Sequence, residues 1–420
     1  VNLTDPRAAA HLQPPPLCVA VAADAMASAT NASVDTFDSG PSAIAAESWV
    51  VEVLARLAGL GREASGVLTP GGSLSNLMAV LLARDRFAGQ RGLDVRRDGT
   101  RALGRPVVLC SELAHFSVRR ACATLGLGTD AVRSVKVDGA RQMDAAGVSR
   151  ALGRLSQDAV PLAIVATAGT TDFGSIDRLP EIAAVAKAHR IWLHVDAAYG
   201  FGALFSPRLS RLLDGIGSAD SITADLHKFG WQPAPASLLL VRRRADLASF
   251  REEVAYLNPA DDLQAGYLGL LGHSLQTTRR ADALKIAATL LSYGSTELGR
   301  MVEACCDLAK YAARAVAADH RLELVAPAEL GSVVFRYLPA QPALADEVNA
   351  VLRRELMRAG TQLLGRTSAR LESSGVHQIC LKLTFVNPIA GFDDVDQLIE
   401  ATCVAGYAAE QLLSAQNEGS

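Results

Sequence analysis

The sequence predicts an α/β fold, with a large, mostly parallel sheet followed by a smaller α+β unit. Two features carry that reading. Between residues 66 and 245, short apolar runs alternate with amphipathic helical patterns, the rhythm of strands joined by crossover helices. After residue 280 that rhythm gives way to two long helical patterns and a few separated strands. At 420 residues the chain is long enough for two or three domains. They are expected as an N-terminal segment over 1–45, a large domain over 46–295 and a small C-terminal domain over 296–420.

The elements follow in order. Residues 1–45 hold Pro14-Pro15-Pro16 and an Asn/Ser/Asp-rich run from Asn31 to Ser42, and read as ordered but non-repetitive. A helix is predicted over 47–60 from the spacing of Trp49, Val50, Val53, Leu54 and Leu57, closed by Gly59 and Gly61. Strands are predicted at Val107–Cys110, Val132–Val137, Leu162–Thr167, Ile191–Val195, Ser221–Ala224 and Leu238–Val241. Helices are predicted at 74–87, 115–125, 144–155 and 179–189. The last part reads as helices over 282–294 and 297–318, a strand Val333–Tyr337, a helix over 345–358, a strand Ile379–Phe385 and a helix over 394–414. The polar tail from Ala415 to Ser420 is expected to fray.

Composition excludes several classes. With 50% hydrophobic and 20% charged residues the chain is not disordered. Lys plus Arg is 41 and Asp plus Glu is 44, so the net charge of −3 gives no case for nucleic-acid binding. No apolar run reaches the roughly 18 residues of a membrane span. The seven cysteines, at 18, 110, 122, 305, 306, 380 and 403, form no CxxC pair. They read as reduced thiols in a reducing, cytoplasmic compartment, with no metal site. The chain starts at Val1 rather than Met, so its numbering is expected to begin inside a longer protein.

Five short stretches carry chemistry. In Asp225-Leu226-His227-Lys228 a lysine follows an apolar strand. A lysine amine buried in a partly apolar pocket gives up its proton more readily and then forms a Schiff base with an aldehyde; a surface lysine at a strand end looks the same. In His194-Val195-Asp196-Ala197-Ala198-Tyr199-Gly200 an aspartate stands at the carboxyl end of a strand, where ligands gather in open α/β sheets. It suits the protonated nitrogen of a pyridine ring, or the cap of the next helix. Thr69-Pro70-Gly71-Gly72-Ser73-Leu74-Ser75-Asn76 opens a helix with glycines and a serine, an anion site or a plain capped turn. It is neither a P-loop nor a dinucleotide fingerprint. His115, in Ala114-His115-Phe116-Ser117, is placed to stack on a flat ligand or to serve as a core histidine. Ala166-Thr167-Ala168-Gly169-Thr170-Thr171 ends a strand in hydroxyls, for contacts to a phosphate or phenolic oxygen or as a polar turn. Together they supply what an electron-sink cofactor with a phosphate, a pyridine nitrogen and an aldehyde requires.

On these residues the chain strongly resembles the group II pyridoxal-phosphate-dependent amino-acid decarboxylases, which have the aspartate-aminotransferase-like fold, fold type I. The resemblance runs from about Pro6 to the final helix and is most specific at His194–Gly200, His227-Lys228, Gly71-Gly72-Ser73 with Asn76, and Ala114–Ser117. It implies that Lys228 holds pyridoxal 5'-phosphate as a Schiff base and that Asp196 pairs with the pyridine nitrogen. His115 would stack on the ring and Ala198 pack on its other face. Gly72, Ser73 and His227 would lie around the phosphate, with Thr171 near the polar edge and Gly71 and Asp225 as further cofactor-binding residues. It also implies a homodimer, with the 1–45 segment at the interface and Thr36, Phe37 and Asp38 near the partner's pocket.

Ala166–Asp177, Tyr256-Leu257-Asn258-Pro259 and Ser274–Arg280 are most similar to bacterial L-2,4-diaminobutyrate decarboxylases and to the lysine decarboxylases of hydroxamate-siderophore pathways. The implied substrate is a diamino acid (diaminobutyrate, lysine or ornithine), with Asp38, Asp261 and Asp262 available for its distal ammonium, and the product a diamine. Arg279 and Arg280 are open alternatives, as partners of a distal or an α-carboxylate or as loop caps. Tyr267 is the nearest candidate for a loop proton donor. Ala281 stands where the family usually carries an aromatic residue, and His273 where it carries lysine. The rival readings are glutamate or aromatic amino-acid decarboxylation, transamination, oxidative decarboxylation to an aldehyde, and a non-catalytic cofactor-binding homologue.

Overall fold

The computed structural model describes residues 2–252, 254, 256–371 and 375–418. Its strands, in chain order, are β1 (Ala8–Ala9), β2 (Ser65–Thr69), β3 (Arg105–Ser111), β4 (Val132–Val135), β5 (Ala159–Thr167), β6 (Trp192–Asp196), β7 (Ser221–Asp225), β8 (Ser237–Val241), β9 (Leu322–Leu324), β10 (Ser332–Tyr337), β11 (Leu363–Arg370) and β12 (His377–Thr384). Seven of them form one sheet in the order β2-β8-β7-β6-β5-β3-β4. Only β8 runs against its neighbours; the rest are parallel, as the α/β reading requires.

Successive residues of these strands enter two different cores. Leu68, Leu109, Ile164, Val195 and Leu240 pack on one face with the helices Pro41–Leu57, Leu179–His189 and Ala283–Ala318. Val67, Val108, Val165 and Leu239 pack on the other with the helix Gly72–Gly89. A sheet covered on both faces needs apolar residues at every position, which is why its strands read as unbroken apolar runs. Each side chain fully buried this way contributes about 1.5–3 kcal/mol. The parallel strands bring their carboxyl ends to one edge: Thr167 is in register with Asp196, and Asp196 with Thr223. Ser111, Asp225 and Thr69 end their strands on the same edge, so the chemistry-bearing stretches converge there.

The second sheet, in the order β1-β11-β12-β10-β9, packs against the helices Ala345–Ala359 and Phe392–Glu418 through Val333, Phe335, Leu381, Leu383, Leu352 and Leu398. The helix Ala283–Ala318 serves both cores. It breaks its helical path at Gly294 (φ 66°), a left-handed position that suits glycine, so the two helices expected there are joined at one hinge residue.

Several expectations are corrected. The segment 1–45 is not non-repetitive: it contains the helix Cys18–Thr30, and its Ala8–Ala9 joins the second sheet. That helix buries Ala20, Ala23 and Ala27, and alanines give no large-apolar periodicity to read. The next helix begins at Pro41 rather than 47, with proline in its first turn. The short β2 and the alternating β11 were not expected. The last helix continues to Glu418 instead of fraying from Ala415, and residues 419–420 lie outside the described residues. No helix among the described residues is long and apolar enough to cross a membrane.

Candidate active site

Lys228 lies one turn beyond the end of β7. Its Nζ is 3.0 Å from Oδ2 of Asp225, and Nε2 of His227 is 3.6 Å from the same oxygen. The pocket that the sequence suggested to be partly apolar thus presents a carboxylate to the lysine amine. Asp225 is buried and also accepts a bond from the Ser237 hydroxyl. Nδ1 of His227 is buried without a partner among the described residues. Burial, and after it the charge of Lys228, hold His227 below the usual histidine range despite Asp225, so it is neutral at neutral pH.

Asp196 ends β6, buried, and accepts bonds from Asn76 Nδ2 (2.8 Å) and the Ala198 backbone N–H (3.2 Å). Asn76 also donates to Ser117 Oγ (2.9 Å), and its Oδ1 accepts from Thr223 Oγ1 (2.8 Å) and His194 Nε2 (3.0 Å). Ser117 Oγ lies 2.8 Å from His115 Nδ1. His115, half-buried, feels the charges of Asp196, Lys228 and Asp225, which places all four in one cluster. Burial is the main cause that lowers its proton affinity. Burial likewise pushes His194 down to about 4.

Opposite, the helix Gly72–Gly89 starts without a side-chain cap, leaving its first N–H groups free for an anion. A Cβ on Gly72 would sit 3.0 Å from both Asp225 carboxylate oxygens and 3.3 Å from the Ala198 methyl, a tight approach that glycine makes without displacing either neighbour. Ser73 and Thr171 are exposed. The Thr171 carbonyl accepts from Lys382 Nζ (3.2 Å), which also pairs with Asp172 (2.9 Å).

Other predicted residues lie elsewhere. Tyr267 is exposed, its ring 5.3 Å from that of Phe37, and no hydrogen bond or ion pair among the described residues joins it to Lys228, His115 or Asp196. Arg279 forms a buried pair with Glu47 (2.7 Å), and Arg280 pairs with Asp24 and Asp282 (2.9 Å each). Asp261 and Asp262 are exposed in the first turn of the helix Ala260–Gln264. A cavity of about 1200 Å³ lies away from Lys228, between the helix Pro41–Leu57 and the segment 244–273. Sequence reading passed over the roles of Asn76 and Lys382. The available signal was a buried-type asparagine inside an apolar helix; Lys382 gave none, because its partners come from 210 residues away.

Comparison with known proteins agrees with this geometry. Residues 3–338 match the pyridoxal-dependent decarboxylase conserved domain. The chain is 41% identical over 398 residues to the L-2,4-diaminobutyrate decarboxylase of Rhizobium meliloti (strain 1021), covering 94% of this chain and 77% of that protein. It is 35% identical over 406 residues to the enzyme of the same name from Acinetobacter baumannii, covering 94% and 78%. Its fold superposes with a TM-score of 0.84 and 32% identity on the glutamate decarboxylase domain of diaminobutyrate-pyruvate transaminase and L-2,4-diaminobutyrate decarboxylase from Vibrio parahaemolyticus, covering 96% of this chain and 81% of that one. The fold is thus the type I fold that the sequence resembles. The residues present fit pyridoxal phosphate: a lysine, a buried carboxylate, an uncapped helix start at a closely approached glycine, and the Nδ1 of His227 without a partner among the described residues. The chain belongs to the pyridoxal-dependent decarboxylase family and is a pyridoxal-phosphate-dependent amino-acid decarboxylase.

Proposed function

We propose that the substrate is a small basic L-amino acid, L-2,4-diaminobutyrate ahead of lysine and ornithine, converted to a diamine and carbon dioxide. The observation that carries this is the engagement of Arg279 and Arg280. Each guanidinium is already matched by carboxylates, Glu47 for the first and Asp24 with Asp282 for the second. A glutamate-type substrate would need such a cation for its distal carboxylate. The two diaminobutyrate decarboxylases at 41% and 35% identity support the same reading. Comparing kcat/KM for diaminobutyrate, ornithine, lysine, glutamate and dihydroxyphenylalanine tests it. A basic substrate is expected to lead; a tenfold lead for glutamate or the aromatic acid, about 1.4 kcal/mol in transition-state binding, would reject it.

The residue roles are part of this proposal and are supported by position. Bound pyridoxal phosphate supplies an electron sink for the bond that releases carbon dioxide. Lys228 is the amine that carries it. Asp196 keeps a proton on the ring nitrogen, because a buried carboxylate favours the charged form beside it. His115 and Ala198 flank the ring. Gly71, Gly72, Ser73 and His227 line the phosphate end, where the uncapped helix start favours negative charge, and Thr171 stands at the polar edge. Asp225 fixes the height of Lys228 and His227. Tyr267 remains the candidate for returning a proton to the substrate carbon, from the exposed segment beside Phe37.

The enzyme is further proposed to be a homodimer in a reducing, cytoplasmic compartment, divided at 45/46 and 295/296. Tyr256, Leu263, Tyr267, Leu268 and Leu275 are exposed along one short segment, an apolar density that free monomer surfaces rarely keep. All seven cysteines are unpaired and all but Cys18 are buried. Sedimentation is expected to give a dimer whose activity falls on dilution; a fully active monomer would reject the dimer.

A further inference from the structure

We propose that Asn76 is a positioning residue of the reaction, whose amide holds the Asp196 carboxylate and, through Ser117, sets His115 as the neutral imidazole with its proton on Nε2. The orientation of the Asn76 amide is forced. Its neighbour at 2.8 Å is a carboxylate oxygen of Asp196, which only accepts, so the amide nitrogen faces it. Its second N–H goes to Ser117 Oγ at 2.9 Å. Both donors are then in use, and Oδ1 takes the Thr223 hydroxyl and the His194 Nε2–H. His194 therefore carries its proton on Nε2. Its Nδ1 accepts from Ser221 Oγ (2.8 Å), which in turn accepts from the Trp192 indole (2.9 Å).

The chain of donors leads to His115. Ser117 Oγ already receives a proton from Asn76, so its own proton is free for His115 Nδ1 at 2.8 Å. The Ser117 backbone N–H points at the same nitrogen, at 3.3 Å. Two donors converging on Nδ1 occupy its lone pair, and the single proton of the neutral ring is left to Nε2. The charged groups facing His115 are Asp196, Lys228, Asp225 and Arg120. The consequence is electronic. A charged His115 against a cofactor ring that Asp196 keeps protonated would set two like charges face to face. A network that fills the Nδ1 lone pair disfavours that state while its other arm keeps Asp196 aimed.

This inference rests on the cofactor lying between His115 and Asp196; the test separates the two ideas. The full chain, labelled with ¹⁵N-histidine, is examined by NMR with and without pyridoxal phosphate, and His115→Asn identifies the His115 signals. The cofactor-free spectrum reads the network wherever the cofactor binds. It is expected to show His115 protonated on Nε2 only at neutral pH; a proton on Nδ1 overturns the proposal. Ser117→Ala removes one donor from Nδ1 and leaves the Asp196 contact intact. Hydrogen bonds to the neutral form oppose protonation, so the proton affinity of His115 should rise about fivefold to tenfold. No rise would overturn the Ser117 arm. Asn76→Ala should weaken cofactor binding, read by absorbance titration, and lower kcat, each by about tenfold to a hundredfold, with KM nearly unchanged. Changes under twofold in a folded Asn76→Ala protein would overturn the Asp196 arm. Should that variant not fold, the wild-type spectrum and Ser117→Ala decide.

Discussion

Lys228→Ala is expected to abolish decarboxylation and the visible absorbance of bound cofactor while leaving the fold intact. The lysine follows the strand β7, whose neighbour β6 ends at Asp196, and its amine lies 3.0 Å from the Asp225 carboxylate. Its removal takes away a nucleophile and a proton carrier together, and losses of this kind reach about a thousandfold or more. The scaffold should tolerate the change. Asp225 keeps its Ser237 bond and its position beside His227, and the Lys228 side chain fills no core, being one-fifth exposed. Melting temperature is the control for folding. Borohydride reduction of the wild-type holoenzyme followed by peptide mapping should place the label on Lys228. A label on any other lysine, or a Lys228→Ala protein that turns over normally, would end this assignment.

The sheet was legible because it is covered on both faces. Ile164 and Val165 face opposite cores, so no polar residue interrupts β5, and the apolar run announces the strand. The site was legible for a related reason. Asp196, Thr167 and Asp225 end such runs, and polar residues there have nowhere to go but the sheet edge. The helix Cys18–Thr30 escaped because it anchors by charge as much as by apolar contact: Asp24 reaches Lys285, fully buried, and Arg280. Such pairs join positions some 260 residues apart, and no local pattern encodes them. The role of Asn76, which the resemblance singled out without assigning one, escaped for the same reason. Its four partners come from β6, β7 and the start of the helix Ser117–Thr124, and only the assembled sheet edge brings them within reach. Arg279 shows the converse. Its position after the loop left a ligand role and a loop cap both open, and a buried Glu47 contributed by the helix Pro41–Leu57 takes its charge.

Asp196→Asn is expected to retain cofactor and lose most turnover, and the hydrogen bonds around Asp196 say why. Oδ2 faces the Asn76 amide nitrogen, a donor whose orientation its other partners hold, so the new side chain must turn its oxygen to that side. Its NH2 then replaces Oδ1, opposite the Ala198 N–H, and faces any ring nitrogen as a donor. A donor there favours an unprotonated ring nitrogen, the reverse of what the carboxylate favours. The loss is therefore double: a charge is removed and the hydrogen-bond polarity is inverted. One buried charge-assisted contact of this type is worth roughly 2–4 kcal/mol to the transition state, or about a 30- to 1000-fold fall in kcat. The volume is unchanged and both donors around the residue persist, so cofactor occupancy measured by absorbance should fall far less than kcat. Near-normal turnover with full occupancy would remove Asp196 from the ring-nitrogen role. Loss of occupancy in step with kcat would make it a binding residue alone.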